Sequence, residues 1–241
     1  VMQLQARDRS RVVIESDAMG AAGLGIHNIL CLTGDHHRFG PGPVSKPDQF
    51  DMDAVQMLWL LRRMRDDGKY IDGRNIKYRP EFFLGAAASP FGAYPKYEAL
   101  RAEKKVNAGA QFIQTQPIFD YDGFLIWLEE LDKRNLLDKV YVLAGMIPLK
   151  STRAAHFMAD EVPGVKIPAD IVARMDAAGD KNGQAEEGVA IALEMIEKLK
   201  NTPGISGIHF MAVHWEIIVP RLMEESGLPK PSINSLDAIP A

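Results

Sequence analysis

Six short apolar runs alternate with longer amphipathic stretches, and this alternation constrains the fold of the 241-residue chain more than any other feature. The runs are continuously apolar or small, without in–out alternation, which is typical of strands covered on both faces. The predicted strands are Val1–Leu4, His27–Leu32, Phe82–Ala88, Gln111–Gln114, Val140–Gly145 and Gly207–Ala212. Neighbouring parallel strands need a crossover, which is usually a helix, so the alternation predicts a parallel α/β sheet.

Seven stretches have the spacing of amphipathic helices, and several carry capping residues. Asp53 and Ser151 are predicted N-caps, and Gly68 is a predicted stop signal. The predicted helices are Asp53–Asp67, Tyr97–Ala108, Tyr121–Arg134, Ser151–Ala159, Ile167–Ala178, Gly183–Lys200 and Glu216–Gly227.

Polar residues, glycine and proline cluster directly after the predicted strands. These clusters are Gln5–Asp8, Thr33–His37, Ala88–Pro90, Thr115–Pro117, Ile147–Ser151 and His214–Glu216. In a parallel α/β barrel every strand ends on one face, where the active site is built. An open sheet binds ligands only near its switch point, and no Gly-x-Gly-x-x-Gly follows any strand here. The pattern therefore favours a parallel α/β barrel of the TIM type with its site at the strand ends.

Composition excludes several function classes. The net charge of −4 argues against a nucleic-acid partner, which requires a basic surface. The sequence contains no run of 18 apolar residues, which a membrane-spanning helix would need, and no recognisable secretory signal. We therefore expect a cytoplasmic protein. The single cysteine, Cys31, lies within an apolar run and is predicted to be a buried hydrophobic residue.

The roles of two groups of polar residues remain open from the residues alone. Asp35 either caps the turn after Gly34 or places a carboxylate at the barrel mouth. His36, His37 and His214 suggest a metal-dependent hydrolase, but no His-x-His or His-x-x-x-His spacing supports a ligand pair, and we predict no metal. A serine nucleophile is not predicted, because no Gly-x-Ser-x-Gly is present.

Six stretches in order carry a resemblance to a known family: GIHNILCLTGD, EKKVNAGAQFIQTQPIFD, VLAGMIPLKSTRAAHFM, VPGVKIPADIVARM, EEGVAIALEMIEKLK and GIHFMAVHWE. Together they resemble bacterial-type methylenetetrahydrofolate reductases over residues 1–228, with an unmatched tail at 229–241. The resemblance implies a (β/α)8 barrel that binds FAD. It also implies a ping-pong reaction, in which NADH or NADPH reduces the flavin and 5,10-methylenetetrahydrofolate is then reduced to 5-methyltetrahydrofolate for methionine biosynthesis.

The resemblance also implies roles for individual residues in substrate binding and catalysis. Asp35 matches an aspartate beside the flavin and pterin that stabilises the cationic iminium form of the folate. Gln116 matches a glutamine that contacts the folate, and its amide can both donate to and accept from the pterin edge. His214 lies in the last matching stretch and is assigned to the same substrate.

Further positions are assigned to the cofactor by the same resemblance. They are Gln3, Thr33, Gly34, Asp35, Phe50, Ser89, Arg101, Lys104 and Lys105. Thr33 stands where many relatives carry arginine, Gln3 where they often carry histidine, and Ser89 where they often carry tyrosine. The residues alone leave Lys104 and Lys105 open between a cationic helix terminus and a phosphate contact.

The largest departure from the family is the number of β/α units, which is about six instead of eight. The family's N-terminal glutamate, which protonates the substrate amine, has no counterpart here. We therefore expect the chain, which opens on a strand-like run at Val1, to be part of a longer enzyme. The alternative is a non-catalytic folate- or flavin-binding subunit of a larger complex. We expect a homo-oligomer, or partner subunits if such a complex forms.

Overall fold

The computed structural model describes residues 1–35, 50–92 and 94–229. Six strands form one parallel sheet in the order β1-β2-β3-β4-β5-β6, which is also their order along the chain. The strands are Met2–Gln5 (β1), Asn28–Leu32 (β2), Phe83–Ala88 (β3), Phe112–Pro117 (β4), Tyr141–Met146 (β5) and Ile205–Phe210 (β6). Consecutive strands of a (β/α)8 barrel have this order, so the predicted fold class is confirmed, with six β/α units in the described residues.

The helices fill every connection between consecutive strands. They are Arg11–Gly23 (α1), Ala54–Asp66 (α2), Pro95–Ala108 (α3), Tyr121–Asp132 (α4), Thr152–Glu161 (α5), Ala169–Ala177 (α6), Lys181–Lys200 (α7) and Val219–Glu225 (α8). Glu216–Ile218 forms a short 3₁₀ helix before α8. Helix α1 was not predicted, whereas each of the seven predicted helical stretches overlaps one of the helices α2 to α8.

Two compact units make up the described residues. The first contains described parts of Val1–Ala87 together with Leu100–Ile113 and Asp138–Val140. The second contains Gln114–Leu137 and described parts of Ala88–Ala99 and Tyr141–Ala241.

Helix α2 provides much of the core of the first unit. Asp53 is its N-cap, as predicted, and forms a capping box with Gln56: the Asp53 carboxylate accepts from the Gln56 backbone N–H at 2.8 Å. Its buried face includes Met57, Leu61 and Met64, which belong to one cluster with residues of β1, β2 and β3. Each such side chain contributes about 1.5–3 kcal/mol when fully buried.

Cys31 belongs to the same cluster and is completely buried. Burial raises the pKa of its thiol to about 12, since the thiolate would lose its hydration. The prediction of a buried hydrophobic cysteine is therefore confirmed.

The second unit has its own apolar cluster under α5, α6 and α7. Phe119, Leu149, Ala155, Met175 and Ile191 are buried in it. Ser151 is the N-cap of α5, as predicted, with its hydroxyl accepting from the Ala154 N–H at 3.2 Å. This cluster holds the loops that follow β4 and β5.

An ion pair in the first unit makes stability depend on pH. The Asp51 carboxylate accepts from the Arg11 backbone N–H at 2.8 Å and from Nε at 3.0 Å. The side-chain hydrogen bond from Arg11 is the main cause that lowers the pKa of Asp51 to about 2. A carboxylate with a lowered pKa stabilises the folded state above its ordinary pKa, and the stabilisation is lost as pH falls towards 2.

We therefore expect Asp51→Asn to lower the thermal unfolding midpoint at pH 7 by about 1–3 °C, because half-exposed ion pairs contribute little. The difference from the wild-type protein should shrink between pH 5 and pH 3, measured by circular dichroism. Asp67→Asn, at the exposed C-cap of α2, is the control and should leave the midpoint unchanged. A deficit of Asp51→Asn that is equal at pH 7 and pH 3 would contradict this account.

Candidate functional site

In the first unit, the carboxyl ends of β1 and β2 lie side by side, with Gln5 paired to Leu32. The pairing continues past both strands, because the Arg7 N–H donates to the Thr33 carbonyl at 2.9 Å. Asp35 follows at the end of this paired region and is exposed. Asp35 thus lies three residues after the end of the largely buried strand β2.

Gly34 makes the turn before Asp35 possible. Its φ of +95° lies in the left-handed region, which side chains other than glycine rarely adopt. A Cβ atom here would also lie 2.5 Å from Nε2 of Gln5. Gln5 therefore packs directly on the turn, and both constraints require glycine at position 34.

The Thr33 side chain forms a hydrogen bond with the N-terminus of helix α2. Its hydroxyl accepts from the Ala54 N–H at 3.0 Å and so satisfies one of the free donors at the helix N-terminus. Phe50 is half-buried directly before Asp51, and Gln3 is exposed on β1, where it pairs with Leu30. The flavin contacts predicted for these three residues remain predictions.

Arg7 is the residue in this part of the chain that sequence reasoning missed. Its side chain is only 12% exposed. The guanidinium donates from Nη1 to the Asp35 backbone carbonyl at 2.8 Å and from Nε to the Asp8 carboxylate at 3.0 Å. The only signal in the sequence was its place in the polar cluster after the first strand.

The predicted phosphate-binding cations lie on α3 in the first unit. Lys105 Nζ donates to the Ala87 carbonyl at 2.6 Å, near the carboxyl end of β3. Arg101 and Lys104 are exposed on the same helix.

In the second unit, the ends of β3 and β4 contact the loop between α5 and α6. A Cβ atom at Gly164 would lie 2.6 Å from the Ser89 hydroxyl oxygen and 3.9 Å from Cγ of Gln116. Gln116 is half-buried within β4, not after it as predicted. The strand continues because Gln114 and Thr115 are buried polar residues, and the Thr115 hydroxyl forms hydrogen bonds with Gly145 N and Gln116 O.

His214 lies in an exposed turn with a φ of +56°. Its backbone N–H donates to Oε1 of Glu216 at 3.1 Å. His36 and His37 lie outside the described residues. Within residues 1–35, 50–92 and 94–229, no three or more His, Cys, Asp or Glu side chains are grouped to hold a metal ion.

None of the predicted site residues lines either of two cavities in the described part of the chain. The first, about 420 Å³, is mainly apolar and lies along α2. The second, about 300 Å³, is polar and lies between α4, α6 and α7. Most of the predicted residues lie instead at or after strand ends and on α3, whereas Gln3 lies within β1 and Phe50 lies before α2. Across the described part of the chain, every helix is too short or too polar to cross a membrane.

The chain matches the family model described as methylenetetrahydrofolate reductase over residues 1–227. Methylenetetrahydrofolate reductase 1 of Schizosaccharomyces pombe is 28% identical over 94% of this chain and 35% of the relative. The 5,10-methylenetetrahydrofolate reductase of Escherichia coli is 26% identical over 79% of this chain and 57% of the relative. The chain thus spans about a third to somewhat over half of the length of these relatives.

One solved structure is similar over most of its length. It is described as an uncharacterized protein from Clostridium thermocellum that binds two copies of 5-methyl-5,6,7,8-tetrahydrofolic acid. It is 16% identical, with a TM-score of 0.45, and the match covers 93% of this chain and 90% of that protein.

Proposed function

Because this chain belongs to the methylenetetrahydrofolate reductase family, we propose that it takes part in reducing 5,10-methylenetetrahydrofolate to 5-methyltetrahydrofolate. The observation that carries the proposal is the family match over residues 1–227 together with the placement of Asp35. That aspartate is exposed at the end of a buried strand, after a turn that only glycine fits.

In this proposal, Asp35 stabilises positive charge on the substrate. When the methylene bridge opens, a proton goes to the released amine nitrogen, and the methylene carbon remains on the other nitrogen as an iminium cation that accepts the hydride. A carboxylate held by a fixed backbone favours that cation without reorganising during the reaction. Gln116 would orient the folate, since its amide can donate to and accept from the pterin edge.

The residues present fit FAD as the cofactor. When bound, FAD passes hydride from a reduced nicotinamide to the folate. Arg101, Lys104 and Lys105 present cationic groups suited to its phosphates, and the bond from Lys105 to Ala87 fixes one of them beside β3. The Thr33 hydroxyl already accepts from α2, so it would serve the cofactor only as a donor.

A spectral experiment tests the proposal. We expect the purified protein to bind FAD and to bleach in the visible when NADH or NADPH is added without oxygen. Adding 5,10-methylenetetrahydrofolate should restore the oxidised flavin spectrum, and 5-methyltetrahydrofolate should appear in equal amount. Tetrahydrofolate, which lacks the methylene group, is the control and should restore nothing.

Two outcomes would overturn the reductase. One is a protein that binds no FAD. The other is a protein that binds both ligands but whose reduced flavin is not reoxidised by the folate, which would indicate the non-catalytic subunit.

A further inference from the structure

We propose that Arg7 is a positioning residue that fixes the backbone at Asp35 and thereby aims its carboxylate. The inference rests on the proposed function, because it concerns how the same aspartate is held. Arg7 and Asp35 are 28 residues apart in the chain, and the guanidinium bridges the ends of β1 and β2.

The Arg7 guanidinium contacts residues on both sides of the turn at Gly34. Nη1 donates to the Asp35 carbonyl at 2.8 Å, and Nε lies 3.0 Å from the carboxylate of Asp8. With the Gln5 amide in its favourable orientation, the Gln5 side-chain oxygen accepts from Nη2 at 3.1 Å and lies 3.0 Å from Nε, whose single hydrogen it shares with Asp8. Gln5 in turn packs on Gly34.

These bonds form a connected set around the turn. The guanidinium holds Asp35 from one side, and Gln5, which the guanidinium orients, holds Gly34 from the other. The positive φ of Asp8, +66°, follows in the same loop. A planar guanidinium can bond to several acceptors in fixed directions, whereas an ammonium is a compact point charge on a flexible stem.

The burial of the Arg7 side chain requires its N–H groups to have hydrogen-bond partners. A charged side chain that is only 12% exposed is retained in a fold only when its donors are satisfied. Removing the guanidinium would leave the Asp35 carbonyl without this donor and free the Gln5 side chain. A catalytic group that moves by about 1 Å can cost about 100-fold in rate.

We expect Arg7→Met to slow reoxidation of the reduced flavin by methylenetetrahydrofolate about 10- to 100-fold. Reduction of the flavin by the nicotinamide should keep its wild-type rate, because Asp35 is proposed to act on the folate. Arg7→Lys should restore only a minor part of the lost rate, since it retains the charge without the fork.

Amide hydrogen exchange supplies a readout independent of activity. The N–H of Ala6 donates to Leu32 O at 2.8 Å and that of Arg7 donates to Thr33 O at 2.9 Å. In Arg7→Met both amides should exchange about tenfold faster, because the two strand ends are no longer held together. The thermal midpoint should fall by only a few degrees, about that expected for one partly buried hydrogen-bonded charge.

Arg9→Met is the matched control. Arg9 lies in the same loop but connects Asp17 at 3.1 Å and the Gln5 carbonyl at 3.1 Å, not Asp35. It should leave the folate half-reaction and the exchange at positions 6 and 7 unchanged. Equal losses in Arg7→Met and Arg9→Met, or a loss spread over both half-reactions, would refute the positioning role.

The two proposals fail separately. If the wild-type protein does not reduce the folate but Arg7→Met still accelerates exchange at Ala6 and Arg7, the proposed function is wrong and the structural anchoring of Asp35 holds. If the wild-type protein is active and Arg7→Met retains wild-type folate kinetics, Arg7 has no positioning role.

Discussion

Gly188→Ala should destabilise the protein by about 3 kcal/mol, although alanine is normally the better helix former. Gly188 lies inside α7. A Cβ atom at this position would lie 1.7 Å from the Leu149 carbonyl oxygen and 2.7 Å from the Leu149 carbonyl carbon. Both are backbone atoms, so no side-chain rotation relieves the overlap.

Two opposing free-energy contributions decide whether Gly188→Ala stabilises or destabilises the protein. Replacing glycine by alanine within a helix contributes about 0.5–1 kcal/mol through backbone entropy. Overpacking a dense interior costs about 1–3 kcal/mol, and more where backbone must move. Displacing α7 would also disturb the buried cluster of Leu149 and Ile191, so the overlap dominates.

Thermal unfolding followed by circular dichroism measures this effect. For a chain of this size, about 3 kcal/mol corresponds to a midpoint lowered by about 6–12 °C. Gly20→Ala is the matched control, since Gly20 also lies within a helix but a Cβ atom there would have nothing within 4 Å. It should raise the midpoint slightly, and a rise in both variants would show that α7 can move away from Leu149.

The sheet could be predicted from the sequence because its signal is local. Most strand residues are apolar or small, and Ile29, Leu30 and Cys31 are buried as that pattern requires. Strand β4 extends beyond its predicted end at Gln114 and includes the buried polar residue Thr115, whose hydroxyl accepts from the Gly145 N–H. An apolar-run criterion ends at such residues, whereas hydrogen bonds to neighbouring backbone allow the strand to continue.

Helix α1 was missed because apolar and polar residues are mixed on both of its faces. Glu15 is buried together with Ile14, Ala18 and Ala21, while Val12 and Val13 are exposed, so the contrast between the two faces is weak. Its N-cap, Ser10, gives a clear signal only after the helix is suspected. Weak amphipathicity explains the omission.

The position of Asp35 after the second strand could be read from the sequence, but the contacts around it could not. The polar cluster after the second strand indicated Asp35. The bond from Arg7 to Asp35 and the approach of Gly164 to Ser89 join positions far apart in the chain. Such contacts depend on the packing of whole elements, which a single sequence does not encode locally.

Asp35→Asn should have the largest effect on activity, lowering folate reduction about 100- to 1,000-fold. Asparagine keeps the size of the side chain and the Gly34 turn, but it removes the negative charge proposed to stabilise the iminium cation. Reduction of the flavin by the nicotinamide, measured separately by stopped flow, should remain close to the wild-type rate. The thermal midpoint should not change, because the aspartate side chain is exposed.

Asp35→Glu separates charge from position, since it restores the charge but displaces it by one methylene group. We expect the rate of its folate half-reaction to lie between the rates of Asp35→Asn and the wild-type protein. Asp67→Asn, an exposed aspartate at the end of α2, should retain full activity in both half-reactions. If Asp35→Asn also retained it, the carboxylate would have no part in steadying the cation, because its negative charge is the property that this substitution removes.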